Sequence, residues 1–95
     1  MIAYTNRSLP FGAKQYIVGN HEPQTILKEL IAVGKPTTIH EISSKYADLD
    51  RRDLIRALMR LKEYGVVKKA EKRLFWQISY DYEETVRFLL YGDDQ

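Results

Sequence analysis

Apolar positions recur every three to four residues over four stretches of the chain and every two over a fifth. They follow no clear period in the first twenty or so residues. In "EPQTILKELIAVG", Ile26, Leu27, Leu30, Ile31 and Val33 share one helical stripe, Pro23 suits a first turn, and Gly34 is placed to end the helix. "PTTIHEISSKYA" sets Thr38 and Glu41 at the spacing of a capping box, which predicts a short second helix facing inward through Ile39, Ile42 and Tyr46. After the link "ADLD", Asp50 can cap a third helix from about Arg51 to Tyr64, which stops at Gly65. The period then changes. "VVKKAEKRLFWQIS" is rich in β-branched and aromatic residues with a polar break at Glu71-Lys72, so it reads as a two-stranded hairpin with Leu74, Trp76 and Ile78 on one face. "DYEETVRFLLYG" reads as a closing helix capped by Asp81.

Residues 1–21 are treated as an arm without an assigned conformation. "QYIVG" fits a strand that could pair with "IAYT", while "NRSLPFG" holds too many turn residues for regular structure. The remaining chain divides into a domain over 22–80 and a C-terminal helix with an acidic tail over 81–95. With 95 residues, 44% of them hydrophobic, the chain can build one small core and not two.

Charge adds a polarity to this outline. The net charge is only +2, but residues 35–80 carry eleven bases against six acids, a net of +5, and residues 81–95 carry one base against five acids, a net of −4. On the third helix, Leu54, Leu58 and Leu61 fall in a narrow arc at about 100° per residue, so they form the buried stripe. Arg52, Arg56, Met59 and Arg60 lie opposite, with Ile55 on the boundary. Arg51 and Arg52 occupy the first turn, where the helix dipole disfavours cations, so helix stability does not explain their presence. A solvated face with Asp53 or Glu63 as local partners is the plain alternative.

A short helix, a tight link, a longer helix with arginines outward and then a basic hairpin follow the order of a winged helix-turn-helix. Over residues 23–79 the chain resembles winged-helix transcription regulators of the MarR and ArsR kind and the small winged-helix proteins of archaeal viruses and mobile elements. The stretch "LIRALMRLKEYGVVKKAEKRLFWQIS" carries the resemblance: Leu58 and Leu61 close the third helix, Gly65 turns the chain, and Val66-Val67 leads into a basic wing. The fold so implied is α+β, with three helices, a two-stranded wing and a C-terminal helix.

The resemblance implies double-stranded DNA as the partner, with the third helix in the major groove and the wing on the backbone or minor groove. Arg51, Arg52 and Arg56 are then the candidates for base edges, since an arginine fork matches the two acceptors of guanine. Arg60, Lys68, Lys69, Lys72 and Arg73 are candidates for phosphate contacts, with Thr38 and Lys45 adding backbone contacts. Met59 is unusual on such a face and is open to a thymine methyl or a protein neighbour. A winged helix serving as a protein-interaction adaptor is the competing expectation.

Other signals are weaker. "YGDD" at the chain end coincides with a polymerase metal turn, but 95 residues cannot hold a polymerase palm, so its acids are expected in a solvated tail. His21-Glu22 and His40-Glu41 lack further ligands at metal spacing, no Cys is present, and no nucleophile elbow or phosphate-binding glycine loop appears. No enzyme activity, cofactor or metal is expected. Trp76 is expected in the core, and Phe75 alternates outward, open to stacking on a base. The last helix places Tyr82, Val86, Leu89 and Leu90 together with Phe88 elsewhere, which suggests a homodimer built on that helix. The N-terminus shows neither a basic leader nor an apolar segment, and no long apolar run follows, so a soluble cytoplasmic protein away from membranes is expected.

Overall fold

The structure is a computed structural model that describes residues 8–70 and 74–92. Its architecture is α+β, with five α-helices and a three-stranded antiparallel sheet among the described residues. The helices are α1 (Ala13–Gly19), α2 (His21–Val33), α3 (Ile39–Lys45), α4 (Arg51–Tyr64) and α5 (Glu83–Tyr91), and the strands are β1 (Thr37–Thr38), β2 (Val67–Lys69) and β3 (Phe75–Ile78). A 3-10 turn, Tyr80–Tyr82, joins β3 to α5.

Local chemistry sets most of the boundaries. Gly34 and Gly65 follow α2 and α4 with φ of 74° and 82°, in the left-handed region that a residue with a side chain adopts only at a cost. Thr38 caps α3 with a full capping box: the Glu41 N–H donates to Thr38 Oγ1 at 3.1 Å, and the Thr38 N–H donates to Glu41 Oε1 at 3.5 Å. The buried Thr37 hydroxyl donates to the same carboxylate. Asp50 caps α4 by accepting the Arg52 N–H at 2.8 Å.

The Thr37 hydroxyl and the Thr38 N–H hold the Glu41 carboxyl below its usual pKa. A depressed folded pKa adds stability that is present above the ordinary carboxylate range and is lost as pH falls through the lower folded value. Glu41→Gln keeps the shape of the box without a titrating group. Thermal melts from neutral pH down through that window should therefore show a shallower acid loss for Glu41→Gln than for the parent chain. Equal slopes would show that the depressed carboxyl does not contribute.

The core is one cluster. Leu54, Ala57, Leu58 and Leu61 of α4 meet Ile26, Leu27 and Leu30 of α2, with Ile42, Val66, Val67, Trp76 and Val86 closing around them. β3 is the central strand: Trp76 pairs with Thr37 on one side and Lys69 on the other, and Val67 pairs with Ile78. The hairpin expected from the sequence is thus widened by a third strand contributed from the α2–α3 link. Beyond Lys69 the Ala70 N–H donates to Phe75 O at 2.8 Å, and residues 71–73 lie outside the described region.

Four expectations change. Asp81 does not cap the closing helix, because it lies within the 3-10 turn and α5 begins after Tyr82 without a side-chain cap. "QYIVG" forms part of helix α1 and not a strand, because Ala13 and Ile17, four residues apart, bury completely against the core and Gln24 of α2 donates to Ile17 O at 3.0 Å. Its proposed partner "IAYT" lies outside the described residues. Leu74 does not share the buried face of Trp76: it precedes β3 and is 69% exposed, so the burial of that face begins only within the paired strand. Val86 is fully buried in the core of its own chain, so it cannot form part of a dimer surface.

Candidate nucleic-acid interface

The leucine stripe of α4 is wholly used by the core, and that leaves Arg51, Arg52, Ile55, Arg56, Met59, Arg60, Lys62 and Glu63 exposed. Four of these are arginines, yet their side chains stand in different situations. Arg51 and Arg52, in the first turn, are exposed and have no ion pair among the described residues. Arg56 Nη1 donates to Asp53 Oδ1 at 2.9 Å across one turn. The pair is exposed and adds little stability, but it restrains the guanidinium while leaving most of its five donors unused.

Arg60 is turned away from that row. Its guanidinium lies 5.6 Å from the Tyr16 ring and 5.5 Å from the Tyr64 ring, whose centroids are 5.9 Å apart. A bond with the Tyr64 hydroxyl raises the Arg60 pKa further. Arg60 therefore fastens α1 to the C-terminal end of α4 by stacking on two aromatic rings. Glu63 shares this end of the helix, so the cationic character of α4 is concentrated in its N-terminal half.

The candidates on α3 are also committed elsewhere. The Thr38 hydroxyl is the α3 cap. Lys45 Nζ donates to Glu29 Oε2 at 2.5 Å, and the Tyr46 hydroxyl donates to Glu29 Oε1 at 3.1 Å. The Glu29 side chain is only 6% exposed, so its charge requires both partners. The same bond raises the Lys45 pKa, and Lys45 works chiefly as a tie between α2 and α3.

On the hairpin, Lys68 pairs with Gln77 and stands on the sheet face opposite Trp76, exposed to solvent. Lys69, itself exposed, lies across from Trp76 with its Nζ over the indole at 5.5 Å from the centroid, a cation–π contact. Lys72 and Arg73 lie outside the described residues. Lys62, an exposed cation in the last turn of α4, is absent from the candidates drawn from the sequence, although the helical spacing places it on the same flank as Arg51 and Ile55. Phe75 is half-buried.

The exposed cations thus fall in two groups, Arg51, Arg52 and Arg56 on the N-terminal half of α4 and Lys68 and Lys69 on the hairpin that follows its C-terminal end. Among the described residues no group of His, Asp or Glu could hold a metal, and no helix is long and apolar enough to cross a membrane. Comparison with protein-family models, curated proteins and solved structures finds no match.

Proposed function

We propose that this chain is a winged-helix protein that binds double-stranded DNA, with α4 in the major groove and the β2–β3 hairpin as the wing. More particularly, it acts as a transcription regulator that occupies an operator as a homodimer. The observation that carries the reading is the N-terminal half of α4, where Arg51, Arg52 and Arg56 project from a helix whose opposite side is entirely packed. The strand order β1-β3-β2, with β1 ahead of α3 and the hairpin directly after α4, supports it. So does the position of Lys68 on the outer face of the hairpin. A protein-interaction role for the same face is the competing reading, favoured by exposed Ile55 and Met59.

The dimer surface in this reading is the outer side of α5. Tyr82, Leu89 and Leu90 are half-buried against their own core, whereas Phe88 is 60% exposed and lines a shallow groove with Ser8, Leu9, Lys14, Thr85 and Leu89. Apolar exposure of this kind in so small a domain suits an isologous contact.

Titration of the folded chain against random-sequence duplex at low salt tests the function, and no binding there would remove it. The two groups of bases should then separate. Arg52→Ala or Arg56→Ala should cost roughly 1–3 kcal/mol at a preferred site and less on random duplex, relaxing specificity. Lys72→Ala or Arg73→Ala should weaken all duplexes alike and lower the salt slope by about one unit for each phosphate no longer neutralised. Binding selections on each variant, with melts alongside, make the comparison. If the α4 variants lose affinity uniformly and keep the parent's preferred sequence, α4 does not read bases.

A further inference from the structure

The exposed face of α4 carries two apolar side chains that the core does not use. Ile55 and Met59 are 37% and 38% exposed, and neither belongs to the buried cluster or to the half-buried residues packed on it. They are four residues apart, hence neighbours on one face, and they alternate along the helix with Arg52 and Arg56. Polar residues at these two positions would leave the fold unchanged, since Leu54, Ala57, Leu58 and Leu61 already fill the packed side. An apolar pair set among cations is complementary to a surface that is anionic around it and apolar at points within it. The major groove of DNA is such a surface: phosphates line its edges, and the C5 methyl of thymine stands among the polar edges of its floor. Duplex RNA lacks that methyl, and its deep, narrow major groove does not admit side chains.

We infer that Ile55 and Met59 are specificity-determining residues that read thymine methyl groups, while the neighbouring arginines read guanine. The inference rests on the DNA-binding reading above. Four residues of helix advance about 6 Å along the helix axis, against about 3.4 Å per base pair along the duplex, so with α4 lying in the groove the two thymines fall within about two base pairs of each other.

The test uses the intact chain and the duplex it prefers in a selection from random sequence. Each thymine of that duplex is replaced in turn by uracil, which removes only the methyl. Affinity should fall about fourfold at two positions, the effect of one buried methyl group, and should be unchanged at the others. Ile55→Ala should abolish the thymine-to-uracil difference at one of these positions and Met59→Ala at the other, with the guanine preferences intact. Ile55→Val, which keeps a branched apolar group, should retain most of the difference at its position and so controls for misfolding. If uracil is tolerated everywhere, or if both alanine variants keep the parent's sensitivity, the inference is overturned while duplex binding stands. If the folded chain binds no duplex at all, the DNA-binding reading fails first, and the inference falls with it.

Discussion

Raising the salt from about 50 to about 200 mM should weaken binding to random duplex roughly 500-fold, for about five cations on phosphates and a slope of about −0.9 per neutralised phosphate. Five side chains are available for that role: Lys62, Lys68 and Lys69 on exposed positions, and Lys72 and Arg73 between the two hairpin strands in the sequence. Two further cations are discounted because they are held more firmly within the chain than Lys69, which has a single ring contact, with Trp76. Arg60 lies against both the Tyr16 and Tyr64 rings, and Lys45 is held by the buried Glu29 carboxylate. Arg60→Gln should consequently leave the slope nearly unchanged while lowering the melting temperature, because the stacked guanidinium no longer ties α1 to α4. A flat salt dependence in the folded protein would count against phosphate binding and in favour of the interaction-adaptor reading. A steep slope that falls equally on removal of Arg60 and of Lys68 would show that the aromatic stack opens on binding.

Trp76→Ala should cost about 3–5 kcal/mol of folding stability, the usual range for removing a buried tryptophan. At roughly 4–8 °C per kcal/mol for a domain near this size, the melting temperature should fall by more than about 10 °C. Leu74→Ala, by contrast, should stay within about 0.5 kcal/mol of the parent, as exposed truncations usually do. The two residues sit two apart and alternate identically in the sequence, so equal effects would be expected from the pattern alone. Position in the sheet separates them. Trp76 occupies the central strand, flanked by Thr37 and Lys69 and covered by the helices, whereas Leu74 precedes the strand at the turn end. Urea denaturation followed by circular dichroism measures both, since the single tryptophan is removed in one variant. Comparable costs for the two would show that the hairpin end folds back onto the core.

Several features were legible in the sequence because each depends on residues no more than four or five positions apart. Gly34 and Gly65 stop their helices, Thr38 with Glu41 and Asp50 start theirs, and the leucines of α4 mark its packed side. The hairpin was recognisable from its alternation and its polar break. Helix α1 had a signal of the same kind, Ala13 and Ile17 four apart with Tyr16 beside them, but at seven residues it was too short to outweigh the turn residues around it.

What the sequence by itself determined is the order and limits of most elements and the side of α4 that faces solvent, since caps, turns and periodic stripes act locally. Only the tertiary structure decided which of the charged residues are free to meet a partner. Strand β1 is two residues long and exists through pairing with β3, nearly forty positions away. Glu29 takes Lys45 out of the candidate set from 16 residues away, and Tyr16, brought in on α1, joins the local Tyr64 in doing the same for Arg60. Val86 turns inward for a similar reason, because α5 packs against α2. Such pairings depend on distances across the fold, set by how the helices pack, and no spacing along the chain encodes them directly.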